Sequence, residues 1–417
     1  MDDNRDLIVP IDCPVVDVDP WSDEFLENPF PDYERMRAAG PVVHIARYNV
    51  WAVTGYESAV TVLRDAANYS SAGGAGLANF FKTKPWRPPS ILLEADPPLH
   101  TKTRSVVLRI LSVAALRELR ERFEREAEAM IEPLVAAGRF DAQTQLADPY
   151  PLKVFPDAVG LATEGRENLV LYGNMVFGGL GPENAVYAEA MSHAPAVVPW
   201  IHQRCSRAAL SPDGLGVRIF EAADRGEVTE EEAGMLVRSF LSAGVDTTMN
   251  GIGATIHCLA RHPDQWALLR DDPSLAKSAF DETLRYDTSA PFLFRTTTRE
   301  VELHGVRIPK HEKVMVFLNA ANRDPARWER PDVFDIRRKT VGHVGFGAGI
   351  HACVGQLVAK LEGESVLCAL ARRVDTLELD GASVRRQSNG LRGFSRIPVR
   401  VSARVAGKAQ TMSPAAA

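Results

Sequence analysis

Apolar and polar positions divide this chain into many helical stretches separated by a few short strand-like runs. Pro29 to Ala39 carries helix formers and stops at Gly40. Val42–Ile45 and Val50–Val53 read as the two arms of a hairpin, and Tyr56 to Asp65 as a further helix. Residues 66–90 show weak periodicity and are rich in Gly, Ala, Ser, Pro and aromatics, a length of loop that in a folded domain is usually functional or disordered. Pro97-Pro98 opens a helix, and residues 105–200 alternate helical stretches with short loops; Glu118 to Glu132 is a charged, solvated helix face. Thr229-Glu230-Glu231-Glu232 is a capping box with acidic residues in the first turn. The pattern it starts ends at Arg261-His262-Pro263, about 32 residues or roughly 48 Å of helix, enough to cross a whole domain. Val301 to Ile308 and Lys313 to Phe317 look like strands, and Asn322-Arg323-Asp324-Pro325 like a turn. Val354, Leu357, Val358 and Leu361 recur at i, i+3, i+4 and i+7, which predicts a helix beginning at Cys353. The expected fold class is mainly α with small β-sheets.

Composition narrows the picture only a little. With 45% hydrophobic and 24% charged residues in 417, the chain reads as a globular protein, and its net charge of -6 gives no reason to expect nucleic acid as a partner. Cysteines 13, 205, 258, 353 and 368 are too scattered for a disulfide framework or a CxxC site. The acidic N-terminus has no apolar core, and no run approaches 18 apolar residues. A cytoplasmic, membrane-free monomer is expected. Residues 1–20 look irregular, 21–405 form one domain, and 406–417 read as a disordered tail.

Chemistry concentrates in four places. Gly345-Phe346-Gly347-Ala348-Gly349-Ile350-His351-Ala352-Cys353-Val354-Gly355 brackets one cysteine with glycines at a helix start, where backbone N–H groups and the helix dipole favour a thiolate. Taken alone, it also suits a buried structural thiol. Asp96-Pro97-Pro98-Leu99-His100-Thr101-Lys102-Thr103-Arg104 puts His100 and Arg104 on one helix face. Ala243-Gly244-Val245-Asp246-Thr247-Thr248 places a glycine, a carboxylate and two hydroxyls mid-helix, suited either to packing with back-bonded threonines or to a local distortion that opens a groove. Glu282 and Arg285 are spaced to pair at i, i+3.

Taken in chain order, from residue 96 to 355, the four stretches resemble the signatures of the cytochrome P450 family, and the resemblance covers about residues 15–403. It implies the P450 fold: a triangular helical prism with a long central helix, and haem b between that helix and the one after the cysteine loop. Cys353 would be the axial thiolate, with Phe346 and Gly347 in the haem loop. His100, Arg104, Arg295 and His351 would hold the haem propionates. Glu282, Arg285 and Arg338 would form a structural core. Thr247 would hand protons to the oxygen under activation and Asp246 would supply them from solvent. Residues 66–90 would roof the substrate pocket. The implied activity is that of a monooxygenase using O₂ and NADH-derived electrons through a [2Fe-2S] ferredoxin and its reductase, with Lys360, Arg372 and Arg373 as candidate docking residues.

Within the family, Trp86-Arg87-Pro88-Pro89-Ser90, Val237–Gly244 and Phe294–Glu300 resemble the bacterial group that oxidises para-substituted benzoic acids. That resemblance implies a small aromatic carboxylic acid as substrate, held by Arg87, Ser90, Ser239 and Ser242 with Arg238 nearby, between walls of Leu92, Phe177, Leu180, Ala243, Phe292 and Leu293. Oxidative O-demethylation of a 4-methoxybenzoate is the reaction expected. Leu180 and Leu293 in place of bulkier residues, and a loose Gly178-Gly179 loop, are expected to widen the far end for cinnamic or bulkier aromatic acids. A peroxygenase and a non-catalytic haem sensor are the alternatives; the Asp246-Thr247 pair argues against the first and the Glu282–Arg285 core against the second.

Overall fold

The computed structural model describes residues 12–404. The expectations for residues 1–11 and for the tail from 406 lie outside them. Within 12–20, Val15–Val16 is not irregular: it pairs in parallel with His44 and Ile45 at a sheet edge. Helices dominate, and their apolar faces meet in one core that joins Val113–Ala137, Pro149–Val159, Glu230–Gly244, Asp246–Arg261, Ala276–Tyr286 and Gln356–Arg373. The amphipathic helix Val113–Ala137 lies against Gln356–Arg373, burying Phe123, Ala127 and Ile131 one to two turns apart.

The sheets are small and lie beside this helical body. The largest has six strands, in the order Val15–Val16, Val43–Ile45, Val50–Val53, Lys313–Phe317, Phe292–Thr297 and Tyr69–Ser70. The expected hairpin is present, with Val43 opposite Ala52. The run 301–308 splits into a hairpin of Val301–Leu303 and Val306–Ile308, turned by His304 and Gly305 at positive φ. Phe292–Thr297, which the apolar pattern did not reveal, pairs antiparallel with Lys313–Phe317.

Two boundaries differ from expectation. The central helix is not continuous: Glu230–Gly244 and Asp246–Arg261 meet at Val245, whose φ of -95° and ψ of -69° depart from helical geometry. Thr247 and Thr248 turn their hydroxyls onto the carbonyls of Ala243 and Gly244, four residues back, a habit that bends helices. The last long helix starts at Gln356 rather than at Cys353, because Ala352–Gly355 still belongs to the glycine turn.

The 66–90 loop is ordered by its neighbours. Lys313 Nζ, fully buried, donates to the carbonyls of Gly73 and Gly74 at 3.1 and 2.7 Å, and Lys82 pairs with Glu312 at 2.7 Å. At its tip the Leu77 N–H donates to the Leu180 carbonyl at 2.9 Å. Asn389 Nδ2 reaches the carbonyls of Gly178 and Pro182, both at 3.1 Å. The Gly178-Gly179 loop is therefore clamped, not loose.

Candidate active site

A cavity runs from Cys353 to the break in the central helix, bounded below by Phe346, Gly347 and Val354 and above by Ala243, Gly244 and Thr247. The loop reaches Cys353 through glycines in conformations other residues disfavour: Gly347 and Gly349 have φ of 70° and 72°. A Cβ at Gly349 would lie 2.4 Å from the Leu63 carbonyl, so this turn sits directly on the Tyr56–Arg64 helix. The Cys353 N–H is anchored on the Phe346 carbonyl at 2.8 Å. Burial raises the Cys353 thiol, while N–H groups of Gly355 and Gln356 and the Arg104 guanidinium pull it back down.

Beside the loop four basic side chains crowd together. The His100 and His351 rings are 4.1 Å apart, and neither nitrogen of His100, nor Nε2 of His351, has a hydrogen-bond partner although all are buried. Arg104 Nη2 donates to the Ala352 carbonyl at 2.7 Å. Arg295 is buried with its Nη1 on the Phe294 carbonyl at 2.8 Å. Burial and mutual proximity depress them: His351 is pushed down to about 3, by burial first and then by Arg295, His100 and Arg104, and burial takes Arg295 to about 10. Such a nest of buried cationic and imidazole groups, its histidine nitrogens without partners and its arginines met only by carbonyls, is suited to anionic groups from a ligand. Together with a cysteine opening onto the same cavity, it fits haem with its propionates among His100, Arg104, Arg295 and His351.

The proximal loop rests on the expected ion-pair core. Arg285 binds Glu282 through Nε and Nη2 at 2.7 and 2.9 Å, both side chains fully buried, and Arg338 Nε adds a third contact at 3.2 Å. Arg285 also donates to the carbonyls of Asn322 and Pro331.

On the distal side Thr247 lines the cavity, and Asp246, one residue before it and about 100° around the helix, turns out of the cavity. Asp246 is 2% exposed, its Oδ2 lacks a partner, and burial pushes its carboxyl up to about 7. It nests against Gly173 of the Glu167–Gly178 helix, where an added Cβ would lie 1.8 Å from Oδ2.

The end of the cavity remote from the cysteine is polar. Ser90 and Ser239 hydroxyls meet at 3.2 Å, and Ser242, one turn on, lines the same space. The arginines there are not equivalent. Arg87 is bound in bidentate fashion by Glu94 at 2.9 and 3.2 Å, and the same carboxylate accepts the Ser90 N–H. Arg238 is 7% exposed and donates to the Pro88 carbonyl at 3.3 Å; among the described residues no carboxylate lies within salt-bridge distance. The free positive charge at this end is therefore Arg238, not Arg87.

Leu92, Phe177, Leu180, Ala243 and Leu293 wall the cavity, but Phe292 does not. Strand alternation sends Leu293 inward and Phe292 to the other face, where it packs edge-on against Trp21, Phe294 and Phe317. The three basic residues expected to dock a partner each carry an internal counter-ion: Lys360 is paired with Asp281, and Arg372 and Arg373 with Glu128. Two residues escaped the sequence reading. Glu94 lies in the irregular loop, where nothing marks its partner. Glu362 lines the cavity with both carboxylate oxygens buried and unpaired; a carboxylate among the inward-facing positions of an amphipathic helix was the available signal.

Comparison with known proteins agrees with this geometry. A family model described as Cytochrome P450 matches residues 210–403. The chain is 50% identical to cytochrome P450 CYP199A2 of Rhodopseudomonas palustris over 93% of this chain and 94% of that one. It is 33% identical to cytochrome P450 107B1 of Saccharopolyspora erythraea over 93% and 98%. Among solved structures, CalO2 superposes with a TM-score of 0.82 at 28% identity, over 93% of this chain and 99% of that one. Cytochrome P450 CREJ in complex with (4-ethylphenyl) dihydrogen phosphate superposes with a TM-score of 0.83 at 26% identity, over 92% and 99%. With the cysteine loop, the buried glutamate–arginine core and relatives matched over more than nine-tenths of their length, the chain belongs to the cytochrome P450 family, the monooxygenases that hold haem iron through a cysteine thiolate.

Proposed function

We propose that this P450 inserts oxygen into a C–H bond of a small aromatic carboxylic acid, with O-demethylation of 4-methoxybenzoate-like substrates as its reaction. One observation carries the reading: the uncompensated, nearly buried Arg238 beside the hydroxyls of Ser90, Ser239 and Ser242, at the cavity end remote from Cys353. A buried guanidinium without a counter-ion is costly, and a bound carboxylate offsets that cost with charge-assisted hydrogen bonds.

The chain's own residues then do three things. Arg238 and the serines hold the carboxylate, while Arg87, its charge met by Glu94, keeps the 87–90 turn in place. Ser242 and Thr247 lie five residues apart on either side of the break at Val245, so a benzene ring bridges the two and aims its para substituent at the Thr247–Cys353 end. Leu92, Phe177, Leu180, Ala243 and Leu293 enclose the ring and exclude water. Haem, held by the Cys353 thiolate, supplies O₂ activation and the one-electron chemistry when bound. Thr247 Oγ1 holds a proton at the cavity face, at rest on the Ala243 carbonyl at 2.7 Å, and Asp246 behind it replenishes that proton. Hydroxylation of a methoxy carbon leaves a hemiacetal, which collapses to the phenol and formaldehyde.

Leu180 and Leu293 on the wall favour a second substrate set, cinnamic acids and larger alkoxybenzoates. The ligand in the CREJ complex, (4-ethylphenyl) dihydrogen phosphate, is likewise a para-substituted aryl group carrying an acid. The electron donors under this reading are a [2Fe-2S] ferredoxin and an NADH-dependent reductase, in the cytoplasm. The test is a spin-state titration of the holoenzyme with benzoic and cinnamic acids against their methyl esters and amides. Acids are expected to bind with the larger spin shift and lower Kd; esters binding as well as acids would overturn the carboxylate site.

A further inference from the structure

The face of the Asp246–Arg261 helix turned away from the cavity carries polar groups that substrate binding does not use. Asp246, Asn250, Gly253 and His257 fall at i, i+4, i+7 and i+11 and share one stripe. Three oxygens along it are buried and lack a donor: Asp246 Oδ2, Asn250 Oδ1, and Oε1 of Gln143, which packs on Gly253. Their residues are 2%, 1% and 0% exposed. At each the neighbouring backbone has given up a side chain to make room. A Cβ at Gly173, Gly393 or Gly253 would lie 1.8, 1.8 and 2.0 Å from the respective oxygen. An unsatisfied buried acceptor costs about 1–3 kcal/mol, and folded proteins meet such needs with ordered water.

The stripe leads outward. Asn250 Nδ2 donates to the Asp246 carbonyl at 2.9 Å, and Gln143 Nε2 donates to Asp148 Oδ1 at 2.6 Å. Asp148 Oδ2 accepts from Arg386 Nη2 at 3.0 Å, and the Arg386 N–H donates to the carbonyl of Gly393, the glycine packed on Asn250, at 3.1 Å. Arg386 and Asp148, each with a side chain 26% exposed, form the solvent end.

We propose that a file of buried waters on Gln143 Oε1, Asn250 Oδ1 and Asp246 Oδ2 carries protons from the Arg386–Asp148 surface to Asp246, so that they enter from behind the central helix and not through the substrate cavity. Each passage takes one proton from solvent at the outer water and releases one from Asp246 towards Thr247, with no change in electron count or net charge along the file. Gln143 and Asn250 are positioning residues, and the inference rests on Asp246–Thr247 being the proton relay.

The test uses the acid-bound holoenzyme. A crystal structure fine enough to show ordered water is expected to place water on all three oxygens, continuous to Arg386; three oxygens without water would overturn the file. Gln143→Leu and Asn250→Leu are expected to keep haem content and acid-induced spin shift. Their NADH-coupled turnover should fall about 10- to 100-fold, up to the lower end of what a positioned proton carrier contributes, with a larger solvent deuterium isotope effect. Asp246→Asn separates the two layers. If it slows turnover while both Leu variants keep the original rate and isotope effect, the relay stands and the route is wrong. If Asp246→Asn itself turns over normally, relay and route fall together. Should the Leu variants not fold, the water structure of the unaltered enzyme decides.

Discussion

Replacing Asp246 by Asn removes a titrating group while leaving the side chain's shape almost unchanged. Burial raises this carboxyl from its ordinary 3.8 to about 7, and the opposed charges of Arg386 and Asp148 nearby largely offset one another. Below pH about 4 the carboxyl is protonated in both folded and unfolded chains, so it costs nothing. Between the two values the unfolded chain is ionised and the folded one is not, so stability falls as pH rises, by about 1.4 kcal/mol for each pH unit. Above pH 7 the loss levels off at about 4 kcal/mol, that slope carried across the interval from 3.8 to about 7. Asn carries no such penalty. At about 2.1 cal/mol/K per residue over 417 residues the unfolding entropy is near 0.9 kcal/mol/K, so Asp246→Asn should raise Tm by about 4–5 °C at pH 8 and leave it unchanged near pH 4. Differential scanning calorimetry of both holoenzymes at one scan rate from pH 4 to 8.5 checks this. A Tm difference that is flat across that range, or an Asn variant less stable at pH 8, would refute the reasoning.

Glu282→Ala leaves Arg285 charged and buried, at a cost of about 3–5 kcal/mol, and should yield protein with little bound haem; Arg372→Ala, which breaks an exposed pair with Glu128, should cost under about 1 kcal/mol with haem-to-protein ratio unchanged. Arg238→Gln should raise the Kd of aromatic acids by about tenfold or more, as expected for a charge-assisted contact, and leave that of their esters alone. Arg87→Gln, in contrast, strands the buried Glu94 and should lower Tm before it alters the preference for acids over esters, read from parallel melting and binding curves. Gly349→Ala meets both a φ of 72° and the Leu63 carbonyl, so haem retention under dilution should drop.

Much of this site was legible because its signals are local. The glycine-bracketed Cys353, the Glu282–Arg285 spacing and the Asp246-Thr247 pair each lie within a few residues, and the haem-loop geometry follows from them. What escaped depends on contacts distant in sequence. Phe292–Thr297 carries the aromatic and β-branched residues of a strand, but only its pairing with Lys313–Phe317 decides which of Phe292 and Leu293 faces the cavity. Arg87 reads as an anion's partner until Glu94 takes its charge across an irregular turn. Lys360, Arg372 and Arg373 look free in sequence because their acids come from other helices. The break at Val245 was signalled by its odd neighbours, but a continuous apolar stripe on both sides concealed where one helix ends and the next begins.

The clamp over the cavity has a consequence for how substrate range can change. Leu77 holds Leu180, and Asn389 holds Gly178 and Pro182, through main-chain atoms of the loop. Gly76 and Gly390 press on the Leu180 Cα and the Phe177 carbonyl so closely that a Cβ would lie 2.6 and 2.5 Å away. Closure thus depends on backbone, and selectivity on the side chains of Phe177 and Leu180 that hang beneath it. Variation at 177, 180 and 293 can explore new substrates without loosening the roof, whereas variation at 76 or 390 strikes closure itself. Shape and shutter are separately heritable, which makes the former three positions the place to build a library and the latter two the place to leave untouched.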